Sequence, residues 1–133
     1  MPHRRSLLAA TLLIAAPGAA QAASSREKKA VGGLTYLPLP TVTSSVVQPN
    51  GRRGVLTVEA GLDVPDPRLR ERAQASRPRL RAAYAQMLQT YATGLPPGSP
   101  PNADTVGREM QRETDRVLGR KGARLLLGTV MVN

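Results

Sequence analysis

The chain has no cysteine, no tryptophan and no phenylalanine among its 133 residues, and its single histidine is His3. Without cysteine there is no disulfide framework and no thiolate chemistry. Without histidine beyond position 3, Ser-His-Asp and Cys-His catalysis drop out, and with them nearly all zinc, copper and haem sites. Tyr36, Tyr84 and Tyr91 are the only aromatics. The interior therefore has to be built from Leu, Val, Ala and Met, which implies stability near the low end of roughly 5–15 kcal/mol. Acidic residues are also scarce, 9 against 19 lysines and arginines, for a net charge of +10.

The N-terminus carries the clearest pattern. Met1-Pro2-His3-Arg4-Arg5 is a short positive head, and Ser6–Ala16 is an apolar run broken only by Ser6 and Thr11. Pro17-Gly18 ends the run, and Ala20-Gln21-Ala22 is a small-x-small cleavage site. Together these read as a secretory signal peptide over residues 1–22. The run falls short of the roughly 18 apolar residues that a membrane anchor needs. The Arg4-Arg5 pair suits a twin-arginine export signal and also the general export route. The expected location is the periplasm, or the inner membrane face if the segment is retained. Cleavage after Ala22 leaves 111 residues with 17 basic and 9 acidic side chains, net +8. That is one small domain.

Residues 23–33 are polar and charged, end in Gly32-Gly33, and read as a flexible leader. Leu34–Gln48 is rich in β-branched residues but interrupted by Pro38 and Pro40, so its early part is an edge or extended approach and Thr41–Gln48 the better strand. Asn50-Gly51 between two β-type runs predicts a hairpin with a type I′ turn, in which both residues take positive φ. In Val55–Val64, Leu56, Val58, Ala60, Leu62 and Val64 alternate with Val55, Thr57, Glu59, Gly61 and Asp63, giving one covered and one wet face. Asp66 and Pro67 open an amphipathic helix that carries Leu69, Ala73, Leu80, Tyr84, Met87 or Leu88, and Tyr91, and that closes at Gly94. Pro78 kinks that helix near Ser76-Arg77 or splits it in two. Leu95–Asn102, with four prolines, is a stiff connector. A second helix spans about 104–118, with Val106, Met110, Thr114 and Val117 or Leu118 inward. Leu125–Val132 reads as a buried closing strand. The expected fold is α+β in two layers, order β-β-α-α-β: a small antiparallel or mixed sheet packed against two helices over residues 34–133.

Three patterns offer chemistry. Arg68, Arg70, Arg72, Arg77, Arg79 and Arg81 crowd a short stretch with one acid, Glu71. On one continuous helix Arg70, Arg77 and Arg81 share a face, which suits anionic partners such as lipid headgroups, wall polymers or acidic protein. A solvated surface is the simpler reading of such a run. Nucleic acid does not fit, because no aromatics are interleaved for base stacking. Glu109 and Glu113 lie one turn apart, but Arg108, Arg112 and Arg116 are interleaved and predict surface ion pairs rather than an acid/base pair. Gly51-Arg52-Arg53-Gly54 and Gly119-Arg120-Lys121-Gly122 lack phosphate-loop spacing and read as turns. No cofactor and no enzymatic activity are expected.

Residues 34–133 resemble the periplasmic domain of the flagellar basal-body-associated FliL family. The matching stretches are Arg52-Arg53-Gly54-Val55-Leu56-Thr57-Val58-Glu59, Leu62-Asp63-Val64, Arg77-Pro78-Arg79-Leu80-Arg81-Ala82-Ala83, Gln111-Arg112-Glu113, Val117-Leu118-Gly119 and the apolar strand Leu125–Val132. The resemblance implies a non-enzymatic protein that sits beside the flagellar stator, modulates motility through envelope or motor proteins, and has a stomatin-like fold able to form homo-oligomers. The family normally keeps an uncleaved transmembrane helix where this chain shows an export signal. The expected contact surfaces are the edge near Pro38–Pro40 and the basic helix, with an anionic membrane surface as the alternative partner.

Overall fold

A computed structural model describes residues 34–133. The expected export signal, with Arg4, Arg5, Ala20 and Ala22, and the leader of residues 23–33 lie outside the described residues. The elements run β1 (Tyr36–Pro38), β2 (Val42–Val47), β3 (Arg53–Asp63), α1 (Pro67–Ala75), α2 (Arg77–Gly94), α3 (Ala103–Leu118) and β4 (Arg124–Val132). The sheet is antiparallel throughout, and the fold is α+β. The observed order adds the short β1 and a third helix to the expected β-β-α-α-β. The extra helix comes from Pro78. Ser76 N–H still bonds back to Arg72 O, and α2 then restarts at Arg77 with Pro78 in its first turn, where a missing N–H costs nothing.

β3 is the central strand. Leu39 N–H bonds to Ala60 O and Gln48 N–H bonds to Arg52 O, so β1 and β2 lie end to end along one edge of β3. On the other edge Val55 and Asn133 exchange N–H···O bonds, and β4 runs there. Both neighbours spend one extra residue at the same level. Leu37 to Val42 is five steps against four from Leu62 to Val58. Glu59 faces Thr129 but Ala60 faces Leu127, which leaves Gly128 over. The sheet thus bulges on both sides of Glu59, at Pro40 and at Gly128, the residue types that suit such interruptions. A Cβ on Gly128 would sit 3.1 Å from Glu59 O.

The hairpin is where it was expected, but its turn is not type I′. Gly51 has φ 77°, and no non-glycine among the described residues, Asn50 included, has positive φ. Gly51 N–H bonds to Gln48 O at 3.0 Å, which places Pro49 second in the turn. Proline fixes φ near about −65° and presets an ordinary turn, after which Gly51 alone supplies the left-handed residue of a three-residue loop.

α2 packs on β2 and α3 on β4, and α1 packs against α2 and α3. Leu37, Val42, Val46, Leu56, Val58 and Leu62 meet Leu80, Tyr84 and Leu88 of α2 and Val106, Met110 and Leu118 of α3 in a single core. Asn102 Oδ1 accepts Thr105 N–H at 3.0 Å to start α3, and Gly119 at φ 77° ends it. α2 does not end on a left-handed glycine. Gly94 is its last helical residue, and Leu95 N–H bonds to Ala92 O ahead of Pro96-Pro97, which cannot continue a helix. β4 is half-buried rather than buried, because it is an outer strand with no layer over its second face.

Candidate interaction surface

The arginine run does not form one face. The break at Ser76 puts Arg70 on α1 and Arg77 and Arg81 on α2, so only the last two come together. Four of the six arginines are occupied by backbone carbonyls. Arg70 donates to Val64 O at 3.1 Å and to Pro65 O at 3.2 Å. Arg77 donates to Pro38 O at 2.7 Å, Arg72 to Leu118 O at 3.2 Å and Arg79 to Val117 O at 3.4 Å. These acceptors end strands or close the last turn of α3, where carbonyls have no partner in their own element and where positive charge is favoured. Arg68 and Arg81 make no side-chain bond among the described residues. Arg77 and Arg81 rim a shallow hollow with Pro40, Pro78, Ala82 and Ala85. Asp66 caps α1 by accepting Arg68 N–H at 3.0 Å and pairs with Arg120 at 2.5 Å. Those two donors, the backbone one first, hold its carboxyl below the ordinary carboxylate range.

A groove of about 660 Å³ runs between α2 and α3, past Met87, Thr90, Tyr91, Glu109 and Glu113. Glu109 pairs with Arg112 at 3.4 Å and Glu113 with Arg116 at 2.5 Å, the surface ion pairs that their spacing predicted. Gly51 and Gly119 both serve turns, at a hairpin and at a helix end. Among the described residues no group of three or more His, Cys, Asp or Glu is placed to hold a metal. No helix among them is long and apolar enough to cross a membrane.

The two edges of the sheet differ. At the β1–β2 edge Pro38 and Pro40 carry no N–H, Arg77 fills the Pro38 carbonyl, and Gly98 N–H reaches Val47 O at 3.4 Å. Among the β2 residues only Thr43 and Ser45 remain open between those closures. At the β4 edge, Asn133 bonds inward to Val55, so alternation turns Val132 and Val130 outward, and beyond the bulge Leu127 and Leu125 as well. Gln111 takes the first positions, donating to Ala123 O at 2.8 Å and accepting Leu125 N–H at 2.7 Å. Past it, Leu127, Val130 and Val132 have outward backbone groups with no bond among the described residues. Beside them a cleft of about 510 Å³ is walled by Val46, Leu95, Pro100, Pro101, Val130 and Val132. Of the five large exposed hydrophobics among the described residues, four (Val47, Val55, Met131 and Val132) also gather at this end. Sequence reasoning missed this edge. Its signals were a glycine inside a strand pattern and an apolar run too continuous for a strand with one wet face. No known family pattern matches this chain, and no curated protein matches it.

Proposed function

We propose that this is a non-catalytic exported protein that works through protein contacts at the cell envelope, in the manner of FliL-type proteins that modulate the flagellar motor. The observation that carries the reading is the β4 end of the sheet, where unbonded backbone groups, an apolar cleft and clustered exposed side chains adjoin. Such features serve macromolecular contacts. The use of Arg70, Arg72, Arg77 and Arg79 on the protein's own carbonyls supports protein contact over a polyanion surface. Deletion of the gene is expected to impair swimming while envelope integrity stays normal. Unchanged swimming rejects the motor role.

A second reading keeps Arg77 and Arg81 as the contact, with an anionic headgroup over the hollow at Pro40 and Pro78. It is tested by co-sedimentation with vesicles of anionic lipid. Binding that falls steeply with salt and is lost in Arg81→Glu favours it over the first reading.

A further inference from the structure

The geometry points to a self-pairing site on the outer edge of β4: two copies of this chain join β4 to β4, antiparallel, about a two-fold axis through Met131. Three observations carry this. First, the edge has hydrogen-bonding capacity to give. Val130 and Val132 turn their N–H and C=O groups away from β3, and neither group is bonded among the described residues. A two-fold axis at Met131 sets Val130 against Val132 of the second copy, and Val132 against Val130, in reciprocal hydrogen-bonded pairs.

Second, the register is limited from both sides. The bulge at Gly128 breaks the regular strand, and Gln111 occupies the edge at Ala123 and Leu125. The regular stretch left is 129–133, and an axis at its middle residue uses all of it. In that register the Val130 and Val132 side chains of each copy lie beside the cleft of Val46, Leu95, Pro100 and Pro101 in the other. Met131 meets its own symmetry mate on the outer face next to Val55.

Third, charge selects the occupant. The chain carries +10, so two copies repel at most surfaces. Leu125–Val132 contains no charged residue, and the nearest charge along the strand is Arg124. This stretch therefore lets two copies meet without like charges across the axis. The prolines and Arg77 that blunt the opposite edge are the usual guards against strand addition, and β4 carries none beyond its bulge.

The test uses the protein recovered from its native host. Sedimentation over a micromolar to millimolar range is expected to show a monomer–dimer equilibrium. Val132→Pro removes an outward N–H and no bond to β3, so it is expected to weaken dimerisation at least about tenfold, with the thermal midpoint unchanged at concentrations where the wild type is monomeric. The chain has no cysteine of its own. Met131→Cys places two thiols in a non-hydrogen-bonded pair with Cα atoms roughly 4.5 Å apart, within the range a disulfide spans. Met131→Cys is expected to give a covalent dimer on mild oxidation, and Leu126→Cys, far from the axis, is not. A protein that stays monomeric across the range overturns the proposal. So do a Val132→Pro variant that dimerises like the wild type and equal cross-linking at positions 126 and 131. These readouts concern self-association alone, so their failure leaves the motility experiment standing.

Discussion

Tyr84 is the largest fully buried side chain, and its hydroxyl lies 2.5 Å from Thr114 Oγ1. Thr114 spends its own proton on Met110 O at 2.8 Å, so Tyr84 is the donor between them. Burial raises its phenol to about 12. The folded state therefore holds the Tyr84 proton at pH values where the unfolded chain, with an ordinary phenol near about 10, has released it. The stability it contributes is intact below that lower value and is lost as pH climbs toward the higher one. Tyr84→Phe is expected to cost about 1 kcal/mol at neutral pH. Between the two values, wild-type denaturant midpoints are expected to fall more steeply than those of Tyr84→Phe, and parallel pH profiles would refute this. Both residues were legible as inward-facing from their spacing, but their bond was not, because it joins positions 30 apart. The arginines show the same limit. Their spacing suggested one binding face, while the carbonyls that Arg77 and Arg72 serve lie 39 and 46 residues away. Arg77→Ala is expected to lower stability by about 1 kcal/mol, and Arg81→Ala, with no carbonyl to serve, by less than about 0.5 kcal/mol in urea titrations.

Among the elements, those that follow local rules were readable and those that depend on register were not. The alternation of β3, the turn at Gly119 and the break at Pro78 each rest on residues within one turn or one strand. The hairpin was placed correctly from Asn50-Gly51, but its turn type was overruled by Pro49, one residue earlier. The paired bulges beside Glu59 exist only as a mismatch between strands, so neither Pro40 nor Gly128 announced the other. The open edge of β4 follows from that register and from Gln111, which reaches it from another element. Two substitutions probe these levels separately. Asn102→Ala removes the acceptor for Thr105 N–H and is expected to cost about 1 kcal/mol. Gly128→Val forces a Cβ toward Glu59 O and is expected to cost about 1–3 kcal/mol, with faster hydrogen exchange at the β3–β4 amides beside the bulge. Slow exchange there, equal to wild type, would mean that the bulge absorbs the side chain.

Across the whole molecule, charge works against compactness. Of the 19 basic side chains, 14 lie in residues 34–133 with 8 of the 9 acids. Only three ion pairs form among the described residues, and all three are on the surface, where such pairs contribute little. Arg70, Arg72, Arg77 and Arg79 neutralise no charge at all, because they donate to carbonyls. The folded state therefore keeps most of its excess positive charge within a small volume, and self-repulsion subtracts from the stability that an aliphatic core supplies. Salt screens repulsion between exposed charges over about 10 Å at 0.1 M, while the apolar core and the carbonyl contacts are less affected. The thermal midpoint is accordingly expected to rise as sodium chloride goes from about 0.01 M to about 0.3 M. The surface ion pairs work in the opposite sense, whereas any dimerisation that salt promotes through the uncharged β4 edge adds to the rise without acting through the fold of one copy. Measuring the midpoint in the Val132→Pro background separates these effects. A rise that persists there belongs to self-repulsion within one copy, a rise that vanishes belongs to association, and a fall shows that the three ion pairs outweigh the excess charge.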